Sequence, residues 1–149
     1  MPRTYGRLHA HLVWSTKHRA LSIRPEWQDR LYGYVGGIIR RLDGTLFVIG
    51  GIADHVHLYL ECPATIAMSD LVSRIKSNTS RWIHMEFSDC QEFQWQRGYG
   101  VFSVDPKHDE NLRSYILNQA AHHQRITFVE EYTAILRSFS IEPDGESFD

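Results

Sequence analysis

The stretch that most constrains this chain is Asp54-His55-Val56-His57-Leu58-Tyr59-Leu60-Glu61, where polar and apolar residues alternate. Alternation of this kind predicts a half-buried β-strand. Successive strand side chains point to opposite faces, so His55, His57 and Tyr59 share one face and Val56, Leu58 and Leu60 the other. The apolar face demands a packing layer; the second face presents two imidazoles side by side. Two neutral imidazoles on a rigid strand are half of a divalent-metal site, or simply a pair of strand histidines. A third ligand decides between the two.

At 149 residues the chain is the size of one domain, and 42% hydrophobic with 23% charged residues is ordinary for a globular protein. No apolar run approaches the ~20 residues of a membrane span, and Met1-Pro2-Arg3 does not lead into a secretory apolar core. Cys62 and Cys90 lack metal-knuckle spacing and read as reduced thiols of a cytoplasmic protein. The formal net charge of −2 argues mildly against nucleic acid, but its distribution softens that. Residues 1–104 hold 12 Lys/Arg against 9 Asp/Glu, whereas residues 105–149 hold 4 against 9. A mildly basic body with an acidic tail leaves room for a cationic DNA-binding face.

Arg7 to Ser15 alternates as a first strand and contains a second His-x-His, His9-Ala10-His11. The basic connection Thr16-Lys17-His18-Arg19 follows. Pro25 to Leu42 has helical spacing at Trp27, Leu31, Tyr34, Ile38 and Leu42, with Pro25 suited to the first turn. Gly33, Gly36 and Gly37 weaken that helix, and their expected use is close approach to a sheet. Thr45–Gly50 reads as a short apolar strand, antiparallel to the His-x-His strand that Pro63 ends. Ser69 is the expected cap of a helix to about Phe87, with Leu71, Val72, Ile75, Thr79, Trp82 and Ile83 inward. Its outer face carries Arg74, Lys76, Ser77, Asn78 and Arg81, which suits phosphate contact or plain solvation. Phe93–Gln96 and Tyr99–Val104 read as short strands around an Arg97-Gly98 turn. A helix follows from about 109 to 125, and Thr127-Phe128-Val129-Glu130 matches a capping box that opens a last helix to about Arg137.

The order predicts an α+β fold, the ferredoxin-like split βαβ arrangement: an antiparallel sheet with two helices on one face, plus a C-terminal tyrosine-bearing helix. Residues 1–138 form a single domain and 139–149 an acidic tail. The His-x-His strand is then central, and the uncovered sheet face is available for function. On the 109–125 helix, Tyr115 and Gln119 lie one turn apart on one face. A divalent cation held by His55, His57 and the Gln119 side-chain oxygen can bind a scissile phosphate oxygen while Tyr115 attacks in line. A tyrosine hydroxyl, with its ordinary pKa near ~10, needs such help to act as a nucleophile. The product is a phosphotyrosine and a free 3′-hydroxyl, so rejoining needs no ATP.

His55-Val56-His57 resembles the HUH motif: histidine, bulky hydrophobic residue, histidine. Tyr115-Ile116-Leu117-Asn118-Gln119 resembles the tyrosine helix of small single-tyrosine transposases, including those associated with repetitive extragenic palindromes. Trp14 to Arg19, Gly50 to His57, Ser73 to Trp82, Trp95 to Gly100, and Asn118-Gln119-x-x-His122-His123 with the following Phe-x-Glu-Glu-Tyr resemble that family's segments, in order, over residues 7–142. The resemblance implies a transposase that cuts and rejoins single-stranded DNA beside a hairpin or palindromic end, with Mg²⁺ or Mn²⁺ and a 5′-phosphotyrosine. It implies a homodimer in which the tyrosine helix can be exchanged. By position, His55, His57 and Gln119 are the metal ligands and Tyr115 the nucleophile. Lys17, Arg19, Arg74, Lys76 and Arg81 are candidate DNA contacts, though no motif fixes them. His122 and His123, one turn past Gln119, are accessory candidates for metal or phosphate that solvent exposure also explains.

Other readings fit less. His9 and His11 flank alanine rather than a bulky residue, and read as structural residues of the open face or as DNA contacts. A nucleotide hydrolase with a His-x-His-x-His run would need histidine where Tyr59 stands. A cupin needs more strands. A non-catalytic nucleic-acid-binding regulator on the same frame, derived from a transposase, is the main alternative, with aromatic stacking on the sheet face.

Overall fold

The computed structural model describes residues 3–144. Strands β1 (His9–Ser15), β2 (Thr45–Ile52), β3 (His55–Glu61) and β4 (Gly100–Ser103) form one sheet in the order β2-β3-β1-β4, with every neighbouring pair antiparallel. This is the split βαβ topology, and β3 is central in it. Helices α1 (Pro25–Arg41) and α2 (Met68–Glu86) are the two crossovers. They cover the face on which Leu12, Trp14, Val56, Leu58 and Leu60 point, packing Leu31, Ile39, Leu71, Ile75 and Ile83 against it. Burial of this apolar layer, at roughly 25 cal/mol per Å² removed from water, is the main drive to the fold.

Several local expectations shift. Val35 and Ile39, rather than Tyr34 and Leu42, complete the buried stripe of α1, and Tyr34 stacks on Trp82 of α2. Of the three glycines in α1 only Gly36 would bring a Cβ near the sheet, so Gly33 and Gly37 serve no close approach. Ser69 lies inside α2; its N-cap is Ala67, with no side-chain cap. Phe93–Gln96 is not a strand. Trp95 makes a single bridge with Thr16, and the Lys76 ammonium donates to the carbonyls of Gln96 and Gly98.

Among the described residues three further α-helices follow: α3 (Asp109–Leu117), α4 (Gln119–His122) and α5 (Phe128–Ser138). The expected 109–125 helix is therefore interrupted at Asn118 (φ −98°, ψ 19°), though Asn118 N–H still donates to the Ser114 carbonyl and His122 N–H to that of Asn118. The capping box forms as expected, with Thr127 and Glu130 bonding reciprocally at the start of α5. Phe128, Tyr132 and Leu136 of α5 pack on Val13 and Phe102, which belong to the other face of the sheet. That face is thus covered by the chain's own helices rather than left open. After α5, Ile141 N–H returns to the Leu136 carbonyl and the Phe139 ring packs tilted against Phe102. Residues 145–149, the remainder of the acidic tail, lie outside the described residues.

Candidate active site

The site lies between β3 and the helices that cover it. His55 and His57 are fully buried on the same face. Asp54 Oδ1 accepts the Nδ1–H of His55 at 2.7 Å, which turns Nε2 into the cluster. Nε2 faces the Gln119 side-chain oxygen at 2.8 Å. Two acceptors meeting at that distance are reconciled by a proton or by a cation. His57 is backed differently: its Nδ1 lies 2.8 Å from His11 Nε2. Burial, then the nearby charge of His57, lowers the His11 pKa to about 3, and burial also lowers that of His57. One hydrogen lies between the two rings, and His57 Nε2 points into the cluster.

The placement of Tyr115 follows from β2. A Cβ at Gly50 would collide with the Ile116 carbonyl, so the backbone of α3 rests directly on the strand. The start of α3 is fastened by Asp109, whose carboxylate accepts from the Tyr59 hydroxyl at 2.8 Å and from Arg113 Nε at 2.8 Å. With the helix so held, the Tyr115 hydroxyl donates to Glu131 Oε2. Burial first, then the hydrogen bond and charge of Glu131, raise the tyrosine pKa above its ordinary value, so at rest it is a protonated donor.

Glu131 is the residue that sequence reasoning missed. It is 2% exposed and sits at the centre of the cluster. Oε1 lies 3.0 Å from His57 Nε2, 2.9 Å from His123 Nε2 and 3.4 Å from His55 Nε2. Oε2 accepts from Tyr115 and, at 3.1 Å, from Gln119 Nε2. Burial would raise its pKa, but the hydrogen bonds from His57 and Tyr115 and the charges of His57 and His55 outweigh it and hold the carboxyl below its usual range. One signal was legible: Glu131 lies within the apolar stripe of Phe128, Tyr132 and Leu136, where a charged residue is costly unless it has partners.

The donor set fits a divalent cation. One ligand atom from each of His55, His57, His123 and Glu131 lies within 4.8 Å of all the others. Imidazole and carboxylate groups of this number are a usual transition-metal set. His123 is not solvent-exposed as expected; its Nδ1–H donates to the Ile126 carbonyl, which leaves Nε2 facing Glu131. His122 is one-third exposed, and its Nε2 lies 3.3 Å from Glu131 Oε2 without a hydrogen bond.

The candidate DNA contacts are dispersed. Lys17 and Arg19 follow the end of β1, next to the Asp54 end of β3, where Thr16 N–H donates to the Asp54 carbonyl. Arg74 and Arg81 are exposed on α2, on the opposite side of the sheet from Tyr115, and Arg81 donates to Asn78. Lys76 is committed to the Gln96 and Gly98 carbonyls, and burial lowers its pKa to about 8. No helix among the described residues is long and apolar enough to cross a membrane.

Comparison with known proteins gives three concordant results. Residues 4–119 match the family model described as IS200-like transposase. A transposase of insertion sequence IS200 from Salmonella typhimurium is 28% identical over 124 residues, covering 74% of this chain and 80% of the relative. Among solved structures, a candidate transposase of Deinococcus radiodurans R1 is 25% identical, with a TM-score of 0.60, over 80% of this chain and 98% of that one. A REP-associated tyrosine transposase bound to a REP hairpin superposes with a TM-score of 0.62 over 100% of this chain and 93% of that one; at 13% identity it attests the fold.

Proposed function

The chain belongs to the IS200-like transposase family, and from that membership we propose that it cuts single-stranded DNA with Tyr115, forming a 5′-phosphotyrosine, and rejoins the ends. The observation that carries this reading is the convergence of Tyr115 with His55, His57 and Gln119 in one buried cluster.

His55, His57 and the Gln119 oxygen would hold the cation, Mg²⁺ or Mn²⁺. When bound, it polarises the scissile phosphate and offsets the charge that develops there. The chain's own residues do the rest. Asp54 and His11 keep Nε2 of His55 and His57 turned inward. Gly50 and Asp109 hold α3 so that Tyr115 Oη stands beside the cluster. The tyrosine oxygen bonds to phosphorus and gives up its proton. The P–O3′ bond breaks, and the 3′-oxygen takes a proton and leaves as a hydroxyl. The number of phosphoester bonds is unchanged, so attack by another 3′-hydroxyl on the tyrosyl ester reseals the strand without nucleotide hydrolysis.

The proposed substrate is single-stranded DNA next to a hairpin or palindromic end. Lys17, Arg19, Arg74 and Arg81 are the proposed backbone contacts; Lys76 would act through the turn it holds. Residues 1–138 act as the catalytic domain, with 139–149 as its acidic tail, in the cytoplasm. The partner is a second copy of the chain. Within one chain Tyr115 already meets its own metal residues, so exchange would seat the partner's α3 and α4 on the same surface.

The test is a covalent adduct. Incubated with Mn²⁺ and hairpin-flanked single-stranded oligonucleotides, the wild type yields a denaturation-resistant protein–DNA band. Tyr115→Phe yields none and binds the same DNA within about twofold of the wild type. Binding without any adduct by the wild type would instead identify a non-catalytic regulator.

A further inference from the structure

A carboxylate in the middle of an apolar helix face is expensive, several kcal/mol if unpaired. Glu131 occupies such a place on α5, between Phe128 and Tyr132, and is fully partnered. Its two oxygens have different partners. Oε1 faces the imidazoles of His57, His123 and, slightly farther, His55. Oε2 faces Tyr115, the amide of Gln119 and, at 3.3 Å, the His122 imidazole. Gln119 likewise faces two ways, its oxygen towards His55 and its nitrogen towards Glu131. The residue lies beyond the 4–119 stretch that matches the family model.

The ligand chemistry points the same way. Two imidazoles and a neutral amide oxygen give Mg²⁺ or Mn²⁺, which favour carboxylate oxygen, no anionic ligand. Adding one carboxylate to that set supplies the anionic oxygen and still leaves positions open for substrate. We infer that Glu131 is the anionic ligand of the cation through Oε1 and, through Oε2, the acceptor that aims the Tyr115 hydroxyl at the bound phosphate. Gln119 then keeps Glu131 in place as well as contacting His55. The inference rests on the reading of Tyr115 as nucleophile only in its second half; the ligand role stands on the cluster alone. It makes α5 part of the site, so the capping box at Thr127 and the packing of Phe128 and Leu136 position a ligand and not merely a helix.

Two measurements on the full chain decide it. In calorimetric titration with Mn²⁺, Glu131→Gln weakens binding at least about tenfold, and Glu131→Asp weakens it less. In single-turnover adduct formation at saturating Mn²⁺, Glu131→Gln remains slower than the wild type. Unchanged affinity and adduct rate in a folded Glu131→Gln protein would overturn the inference. Should these variants fail to fold, a Mn²⁺-soaked wild-type crystal decides: a Glu131 oxygen in the coordination sphere supports it, and His55, His57 and Gln119 without Glu131 refutes it. If the wild type forms no adduct at all, the reading as a DNA-cutting enzyme and the aiming of Tyr115 fall together. The titration and the crystal then judge the ligand role alone.

Discussion

His9-Ala10-His11 and His55-Val56-His57 have the same spacing, lie on neighbouring strands and face the same side of the sheet, yet they do different work. The antiparallel register sets His11 opposite Tyr59, Val13 opposite His57 and Ser15 opposite His55. The two pairs are therefore displaced along the sheet, and different parts of the covering helices meet them. His55 and His57 lie under Tyr115, Gln119 and Glu131. His11 lies behind His57, 7% exposed, and His9 meets Phe47 and Tyr59 near the start of α3. Spacing on a strand fixes a face. Register against the next strand, and the helix laid over it, fix the role.

The sharpest break in the comparison comes from removing a proposed ligand. His57→Ala takes away one proposed cation donor and one partner of the buried Glu131. Mn²⁺ affinity should fall by more than the ~10–100-fold typical of losing an outer partner, and the covalent adduct should disappear while hairpin DNA is still bound. Calorimetry and a denaturing gel read the two effects. A His57→Ala protein with wild-type Mn²⁺ affinity would remove the distinction between the two motifs.

His11 should come second. His11→Leu fills much of the same space but leaves the His57 Nδ1–H with no acceptor, at about 1–3 kcal/mol for a buried unpaired donor. With the ring no longer held, Mn²⁺ affinity should drop ~10–100-fold. His11→Gln, which can accept that hydrogen, should recover most of it. Equal loss in both variants would mean that His11 contributes packing rather than orientation.

Those roles were unevenly legible in the sequence. The β3 face was readable because alternation is a strong signal and Pro63 marks its end. The same reading left His11 as a face residue of uncertain use, since strand register is set by cross-strand pairing that no local pattern encodes. The capping box gave the start of α5, and attention to Thr127 and Glu130 obscured Glu131 between Phe128 and Tyr132. The break at Asn118 was hidden because the residues around it keep helical spacing and helical hydrogen bonds continue across it. Trp95 looked like a strand residue because aromatics favour strands; the Lys76 ammonium, arriving from α2, claimed the turn's carbonyls instead. Gln119 and Tyr115 stood out only because their helical spacing came with a paired-His strand, whereas the covered face was not legible, because α5 reaches it only through long-range packing on Val13 and Phe102.

The smallest effect should be at His9, the member of the first pair farthest from the cluster. Its Nδ1 lies 3.2 Å from the Tyr59 hydroxyl, but that hydroxyl already donates to Asp109 at 2.8 Å. Burial and then the Asp109 hydrogen bond push the Tyr59 pKa up to about 12, so the phenol stays a donor and its stronger partner is the carboxylate. His9→Ala therefore removes a secondary acceptor and an edge contact with Phe47, and should cost only about 0.5–1.5 kcal/mol in urea unfolding. Mn²⁺ affinity and adduct rate should not move, because Asp109 continues to fasten α3 and neither His57 nor Glu131 loses a partner. If His9→Ala weakened Mn²⁺ binding as much as His11→Leu, the first strand would be acting on the site as one unit. The gradient from ligand to support to bystander along the two strands would then be wrong.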